Sequence, residues 1–161
     1  MQKLVLTFTA ILLAIGLISF QGYQQQSTVK NYCNSSEARK ASKKALDPYQ
    51  YDAGKTNTFT FKNKIQKREI EVPLFVGEKY RFVFNTSGLP QPIDIEVYDK
   101  KEASKNRTLL FSNKDSNEDM LTFEPIKSKK LYVNYTVPVT NDTIKKGCVV
   151  MVVGYKSKFK K

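Results

Sequence analysis

Asp94 and Glu96 stand two residues apart in Ile93-Asp94-Ile95-Glu96-Val97-Tyr98-Asp99. On an extended strand that spacing projects both carboxylates from one face. A pair of carboxylates is the minimal apparatus of glycoside hydrolysis, one protonating the leaving oxygen and the other serving as base or nucleophile. The same spacing also describes the watered side of an alternating strand, and the rest of the chain favours that plainer meaning. There is no histidine and no tryptophan. Ser-His-Asp and Cys-His arrangements and histidine-ligated zinc are therefore unavailable, and only tyrosines are left to stack on sugar rings in the usual aromatic manner.

Asp115-Ser116-Asn117-Glu118-Asp119 opens like a calcium loop. The glycine that should follow is Met120, and the twelfth position holds Ile126 where glutamate is required. A polar hairpin turn is the better reading, so no metal and no cofactor are expected.

The remaining chemistry-bearing residues are the two cysteines, Cys33 and Cys148. Met1-Gln2-Lys3 followed by the uncharged apolar run from Leu4 to Ile18 reads as a secretory signal peptide, assigned to residues 1–22 with cleavage between residues 19 and 24. The threonines within the run, and Ser19, Gln21 and Gly22 after it, make a poor membrane span. No later stretch is long and apolar enough to span, so a periplasmic or extracellular location is expected. Lys30-Asn31-Tyr32 before Cys33 is wrong for a lipid-carrying cysteine. In an oxidising compartment the two cysteines are expected to pair within the chain. A bond between chains and a pair of free thiols stay open, the latter because Cys148 lies in an apolar strand.

With 27 Lys and Arg against 15 Asp and Glu, the chain carries a formal charge of +12. Such a balance attracts polyanions, among them anionic lipid headgroups, acidic polysaccharide and nucleic acid. The lysines occur as scattered pairs such as Lys43-Lys44, Lys100-Lys101 and Lys129-Lys130. Scattered pairs suit turns and solvated faces, so weak, salt-sensitive polyanion binding is expected and specific nucleic-acid recognition is not.

The elements that must position these residues follow from periodicity. Asn34-Ser35-Ser36-Glu37 has the form of a capping box, and Ala38, Ala41 and Ala45 recur at helical spacing up to Leu46 before Asp47-Pro48. One short helix is predicted over 35–46, within an N-terminal segment of residues 23–55. From Thr56 the period becomes two. Phe59 and Phe61, with Ile65 as a possible third member, form one such set; Ile70, Val72 and Leu74, then Tyr80, Phe82 and Phe84, then Ile93, Ile95 and Val97 form others. Leu131, Val133, Tyr135 and Val137 form a further set, and residues 108–112 and 120–124 read as shorter strands. Pro73 suggests an edge or a bulge. Residues 147–154 are apolar on both faces, as in a strand at the middle of a packed structure. The prediction is a mainly β, antiparallel β-sandwich of about eight strands over residues 56–157, followed by a basic tail at 158–161.

Two resemblances rest on these residues. The order of Val76-Gly77-Glu78-Lys79-Tyr80-Arg81-Phe82-Val83-Phe84, then 93–99, then Leu131-Tyr132-Val133-Asn134-Tyr135 and a closing apolar strand resembles bacterial pre-peptidase C-terminal domains. That likeness spans roughly residues 70 to 155 and implies a jelly-roll-like sandwich, though no protease is fused to it here. The whole chain, with its early cysteine, helix and Gly147-Cys148-Val149-Val150, is similar to small uncharacterised exported proteins of the Bacteroidota, which implies a compartment and no activity. The reading is an exported, non-enzymatic binding or structural module of the bacterial envelope, meeting an envelope polymer or a protein partner. Tyr98, Tyr132, Asp94 and Glu96 are the candidate ligand contacts, with Tyr49 and Tyr51 as further exposed anchors. The alternatives are a carboxylate-dependent glycoside hydrolase, or a eukaryotic secreted glycoprotein using the five sequons at Asn34, Asn85, Asn106, Asn134 and Asn141.

Overall fold

Helix α1 (Ser35–Lys44) begins where Asn34 Oδ1 accepts the N–H of Glu37 at 3.4 Å and Asn34 Nδ2 donates to Glu37 Oε2 at 2.7 Å. This is the reciprocity of a capping box, returned through the cap's side chain instead of its backbone N–H. The computed structural model describes residues 30–127, 129–141 and 145–157, so the apolar leader and the basic tail fall outside the described residues. Ala38 is buried and Ala41 and Ala45 are half-buried, as the spacing predicts. Ser42 is buried with them, because its hydroxyl donates to Ala38 O at 2.7 Å and leaves no polar group unpaired.

Among the described residues, nine strands follow the order β1 (Lys30–Asn31), β2 (Gln50–Phe61), β3 (Gln66–Val72), β4 (Glu78–Gly88), β5 (Asp94–Tyr98), β6 (Leu109–Ser112), β7 (Met120–Phe123), β8 (Leu131–Val137) and β9 (Lys145–Ser157). β2 starts six residues before the expected alternation, at Gln50, because its first half is an exposed edge carrying no apolar pattern. Ile65 lies beyond the end of β2 and is 61% exposed, so it does not extend the Phe59 and Phe61 set. β3 is an edge strand that ends at Val72, just before Pro73.

One sheet has the order β2-β9-β4-β7, with β1 continuing, in parallel, the edge of β9 that β4 leaves after Gly88; the other has the order β3-β8-β5-β6. The pairs β2 with β9, β3 with β8, β4 with β7 and β5 with β6 are those of a single antiparallel ribbon doubled on itself. Wrapping that ribbon adds the pairs β9 with β4 and β8 with β5 and yields two facing sheets, which is jelly-roll order. The fold is a mainly β antiparallel sandwich, with one short helix among the described residues.

The alternating sets meet between the sheets: Phe59, Phe61, Tyr80, Phe82, Phe84, Val149, Met151 and Val153 from one, Ile70, Ile95, Val97, Leu131, Val133, Tyr135 and Val137 from the other. Along the β6 and β7 side the core is sealed by rings, with Phe111 at 5.4 Å from Phe123 and 5.7 Å from Phe84. Along the β2 and β3 side, Gln66 Nε2 donates to Thr60 O at 2.6 Å and Arg68 Nη1 to Thr58 O at 3.3 Å. The other face of β4 and β9 presents Val83, Val150 and Val152 to Ala38 and Leu46 below α1. β9 is thus covered on both faces, which is why it has no polar side. Fully burying a side chain such as Leu46 contributes roughly 1.5–3 kcal/mol, enough to hold a ten-residue helix that would be marginal alone.

Strand direction defines two ends. At one, β3 crosses to β4 through Gly77 and β7 crosses to β8; at the other, β4 crosses to β5, β6 to β7 and β8 to β9. Gly77 has φ 97°, a conformation that favours glycine. At the far end Cys33 and Cys148 form a disulfide enclosing a sequence separation of 115, tying the start of α1 to β9. Gly88 and Gly147 sit beside it, where a Cβ on Gly147 would stand 2.5 Å from Pro90 Cδ and 2.8 Å from Gly88 O.

Candidate functional site

The outer face of the four-stranded sheet brings the four candidate contact residues together. β5 lies against β8 with Tyr98 opposite Tyr132, Glu96 opposite Asn134 and Asp94 opposite Thr136, and β3 adds Glu71 beside Tyr132 and Glu69 beside Asn134. Alternation alone puts these on one face, and antiparallel register makes rows of them.

Each row is cross-linked. Tyr98 Oη donates to Glu96 Oε2 at 3.1 Å, and Lys114 Nζ approaches Glu96 Oε1 at 3.1 Å. The Arg107 guanidinium lies 3.9 Å from the Tyr98 ring centroid. In the amide orientation that satisfies its neighbours, Asn134 donates to Glu69 Oε2 at 3.0 Å and accepts from Arg107 Nη1 at 3.2 Å. Lys130 Nζ pairs with Glu71 Oε1 at 2.7 Å. Partial burial and then the hydrogen bond to Glu96 push the Tyr98 hydroxyl above its ordinary value; burial and then the Glu71 charge do the same to Tyr132. The bond to Glu96 raises the Lys114 ammonium. The result is a half-buried tyrosine and amide surface ringed by paired charges and crossed by the β5–β6 connection, where the Glu102 N–H donates to Glu69 Oε2 at 2.8 Å.

Two depressions border this face. One, of about 310 Å³ at the disulfide end, takes Asp94 into its wall with Lys114, Glu118 and Asp119, and no aromatic ring lines it. The second, of about 470 Å³ at the Gly77 end, sets Asp99, Glu71 and Tyr132 among Lys100, Lys101, Lys129 and Lys130. Hydrogen bonding from Thr108 N–H, then the charges of Lys129 and Lys100, hold the Asp99 carboxyl below the usual range, and the Lys130 hydrogen bond does the same for Glu71. Both are therefore ionised at neutral pH, whereas glycoside hydrolysis needs one carboxyl kept protonated as the acid.

Other sequence candidates take different places. Tyr49 is half-buried: its hydroxyl donates to Glu124 Oε2 at 2.7 Å and the Arg81 guanidinium lies 4.5 Å from its ring centroid, so it is a structural residue and not an open anchor. Tyr51 is 42% exposed on β2, in the other sheet from Tyr98. Residues 115–119 lie in the β6–β7 connection, and among the described residues no group of three acidic, histidine or cysteine side chains is placed to hold a metal ion. Of the sequons, Asn85 is buried with Nδ2 donating to Ala38 O at 3.3 Å, leaving no room for a glycan there. The roles of Arg107 and Asn134 in the outer face carried no sequence signal, because each depends on the pairing of three strands.

No family model matches the chain, and no curated protein matches it. Among solved structures, PliG, a periplasmic lysozyme inhibitor of g-type lysozyme from Aeromonas hydrophila, is similar over 68% of this chain and 89% of its own, at 9% identity and a TM-score of 0.44.

Proposed function

We propose that the protein is an exported, non-enzymatic binding module of the bacterial envelope that meets an envelope polymer or a protein partner with the outer face of its four-stranded sheet. The observation that carries the reading is the row Glu71, Tyr132, Tyr98 beside the row Glu69, Asn134, Glu96: two half-buried tyrosine rings side by side on the outer face of the sheet, with Glu71 and Glu96 already engaged by Lys130 and Lys114. Large, stiff, amphipathic rings give contact area at little entropic cost, which suits recognition. Carboxylates lying along one sheet instead of facing one another across a cleft do not suit acid–base catalysis. The disulfide fits an oxidising compartment and so supports export.

Capture from envelope extract by immobilised mature protein tests this, with Tyr98→Ala/Tyr132→Ala as the comparison. A retained polymer or protein that the double variant loses at least tenfold is the expected result. Turnover of a polysaccharide by the purified protein, abolished by Glu96→Gln or Asp94→Asn, would replace the reading with the hydrolase.

A further inference from the structure

The three most exposed large apolar side chains among the described residues are Ile126 at 99%, Val76 at 88% and Phe75 at 77%. They are not scattered. Phe75 and Val76 occupy the β3–β4 connection and Ile126 the β7–β8 connection, the two crossings between sheets at the Gly77 end. The Phe75 tip is braced: its N–H donates to the hydroxyl of core residue Tyr80 at 3.1 Å, and Gly77 makes the turn that follows. Ile126 borders a shallow depression with Glu78, Lys79, Tyr80 and Glu124, so the two tips share a neighbourhood through Tyr80. Exposing such residues at two adjacent loop tips is costly in water unless something apolar covers them.

The charges around these tips indicate what covers them. On the β3–β4, β5–β6 and β7–β8 connections at this end the acidic side chains are Asp99, Glu102 and Glu124, each paired, with Lys129 at 3.7 Å, Lys67 at 3.6 Å and Arg81 at 2.6 Å, while the α1–β2 connection brings Asp47 to the same end. Lys101, Lys105 and Lys127 on the same connections form no ion pair among the described residues, and the depression between Lys100, Lys101, Lys129 and Lys130 opens at this end. The opposite end mixes the two signs, with Lys114 beside Asp94, Glu118 and Asp119 and with Lys62 and Lys64 in the β2–β3 connection. Apolar tips framed by unpaired lysines match the profile of an anionic lipid surface: hydrocarbon below and phosphates around.

We propose that the Gly77 end of the sandwich docks on an anionic lipid bilayer, with Phe75, Val76 and Ile126 entering the interface and Lys101, Lys105 and Lys127 meeting the phosphates. In this orientation the sheet face of Tyr98 and Tyr132 stands beside the bilayer, and the two surfaces meet at the depression where Tyr132 lies among Lys100, Lys101, Lys129 and Lys130.

The chain lacks tryptophan, so single-tryptophan reporters test the orientation. Phe75→Trp is expected to show blue-shifted emission on adding phosphatidylcholine vesicles containing phosphatidylglycerol, and little change with phosphatidylcholine alone. Ile65→Trp, at the opposite end, is expected to stay unshifted. In co-sedimentation with the anionic vesicles, Phe75→Ser/Val76→Ser/Ile126→Ser should lower binding at least tenfold with the melting temperature unchanged, since all three side chains are exposed. Lys101→Glu/Lys127→Glu should lower it severalfold and reduce its dependence on salt. Unaltered vesicle binding by the serine variant, a shift at Ile65→Trp without one at Phe75→Trp, or concentration-dependent self-association through these tips in place of vesicle binding would each overturn the proposal. The serine variant alters neither Tyr98 nor Tyr132, so it separates loss of vesicle binding from loss of capture through those rings.

Discussion

Asn57 on β2 donates from Nδ2 to the hydroxyl oxygen of Tyr135 on β8 at 3.3 Å, a polar link between the two sheets in the middle of the core. The hydroxyl in turn points its proton at Met151 Sδ, 3.8 Å away, and burial drives its ionisation far above the ordinary tyrosine range. Asn57 Oδ1 is buried without a hydrogen-bond partner among the described residues. The link therefore specifies how the sheets face one another at some expense in stability.

Removing one side of this link should be worse than removing both. Tyr135→Phe leaves the Asn57 amide with neither partner and is expected to cost about 1–3 kcal/mol, whereas adding Asn57→Leu should restore most of the loss. Urea unfolding of the two singles and the double gives the coupling directly. Additive losses in that cycle would show that the two side chains act separately.

Opening the disulfide should lower stability without dissolving the fold. A loop of 115 residues is worth roughly 4–5 kcal/mol in the chain-entropy treatment and ~2–4 kcal/mol in typical measurements. For Cys33→Ser we expect a melting temperature lower by about 10 °C, with strand content by circular dichroism retained because the Phe and Val core does not depend on the bond. Two alkylatable thiols in the exported wild-type protein would contradict the assignment.

Acid should weaken the protein through three carboxylates. The Tyr49 hydrogen bond and then Arg81 hold the Glu124 carboxyl below its usual range, and Asp99 and Glu71 are held low by Thr108 and Lys130. A depressed folded-state pKa gives stability that is present above the ordinary carboxylate range of about 4 and is lost as pH falls through the folded value. Glu124 is half open to water, so its share is no more than about 1 kcal/mol. Glu124→Gln should therefore lower the melting temperature by a few degrees at neutral pH, converge with the wild type in acid, and so flatten the fall below about pH 4. An unchanged acid limb would remove Glu124 from the account.

Glycine substitutions should separate crowding by backbone from crowding by side chain. A Cβ on Gly147 meets Gly88 O and Leu89 Cα, whereas at Gly54 the nearest atom is the Tyr51 hydroxyl at 3.0 Å, the mobile end of an exposed ring. Gly147→Ala is expected to cost about 1–3 kcal/mol or more as overpacking, and Gly54→Ala much less. Equal melting temperatures for the two variants would show that the Gly88–Leu89 strand end yields.

What the amino-acid order determined by itself is the set of strands and which side of each faces inward. Only one face of Tyr80, Phe82, Phe84 or of Ile93, Ile95, Val97 is removed from water, so the selection for apolar side chains leaves a two-residue period in the sequence. The absence of any polar face in 147–154 announced a central strand, and β9 indeed lies between the core and the helix. Local chemistry also marked the helix start at Asn34, because a cap is settled within four residues. Pairing was beyond local reach. That β2 finds β9 and β3 finds β8 is decided by closing one ribbon around a shared core, and no residue records its partner's number. The first half of β2 was invisible for the same reason: Gln50 to Lys55 owe their strand to hydrogen bonds with β9, which any side chain permits. Asp94, Glu96, Tyr98 and Tyr132 could be picked out as polar or aromatic residues on alternating strands. That Tyr98 stands opposite Tyr132, that Lys114 holds Glu96, and that Phe75 and Ile126 emerge at the same end of the molecule are consequences of register and crossover, which exist only once the two sheets have closed on one another.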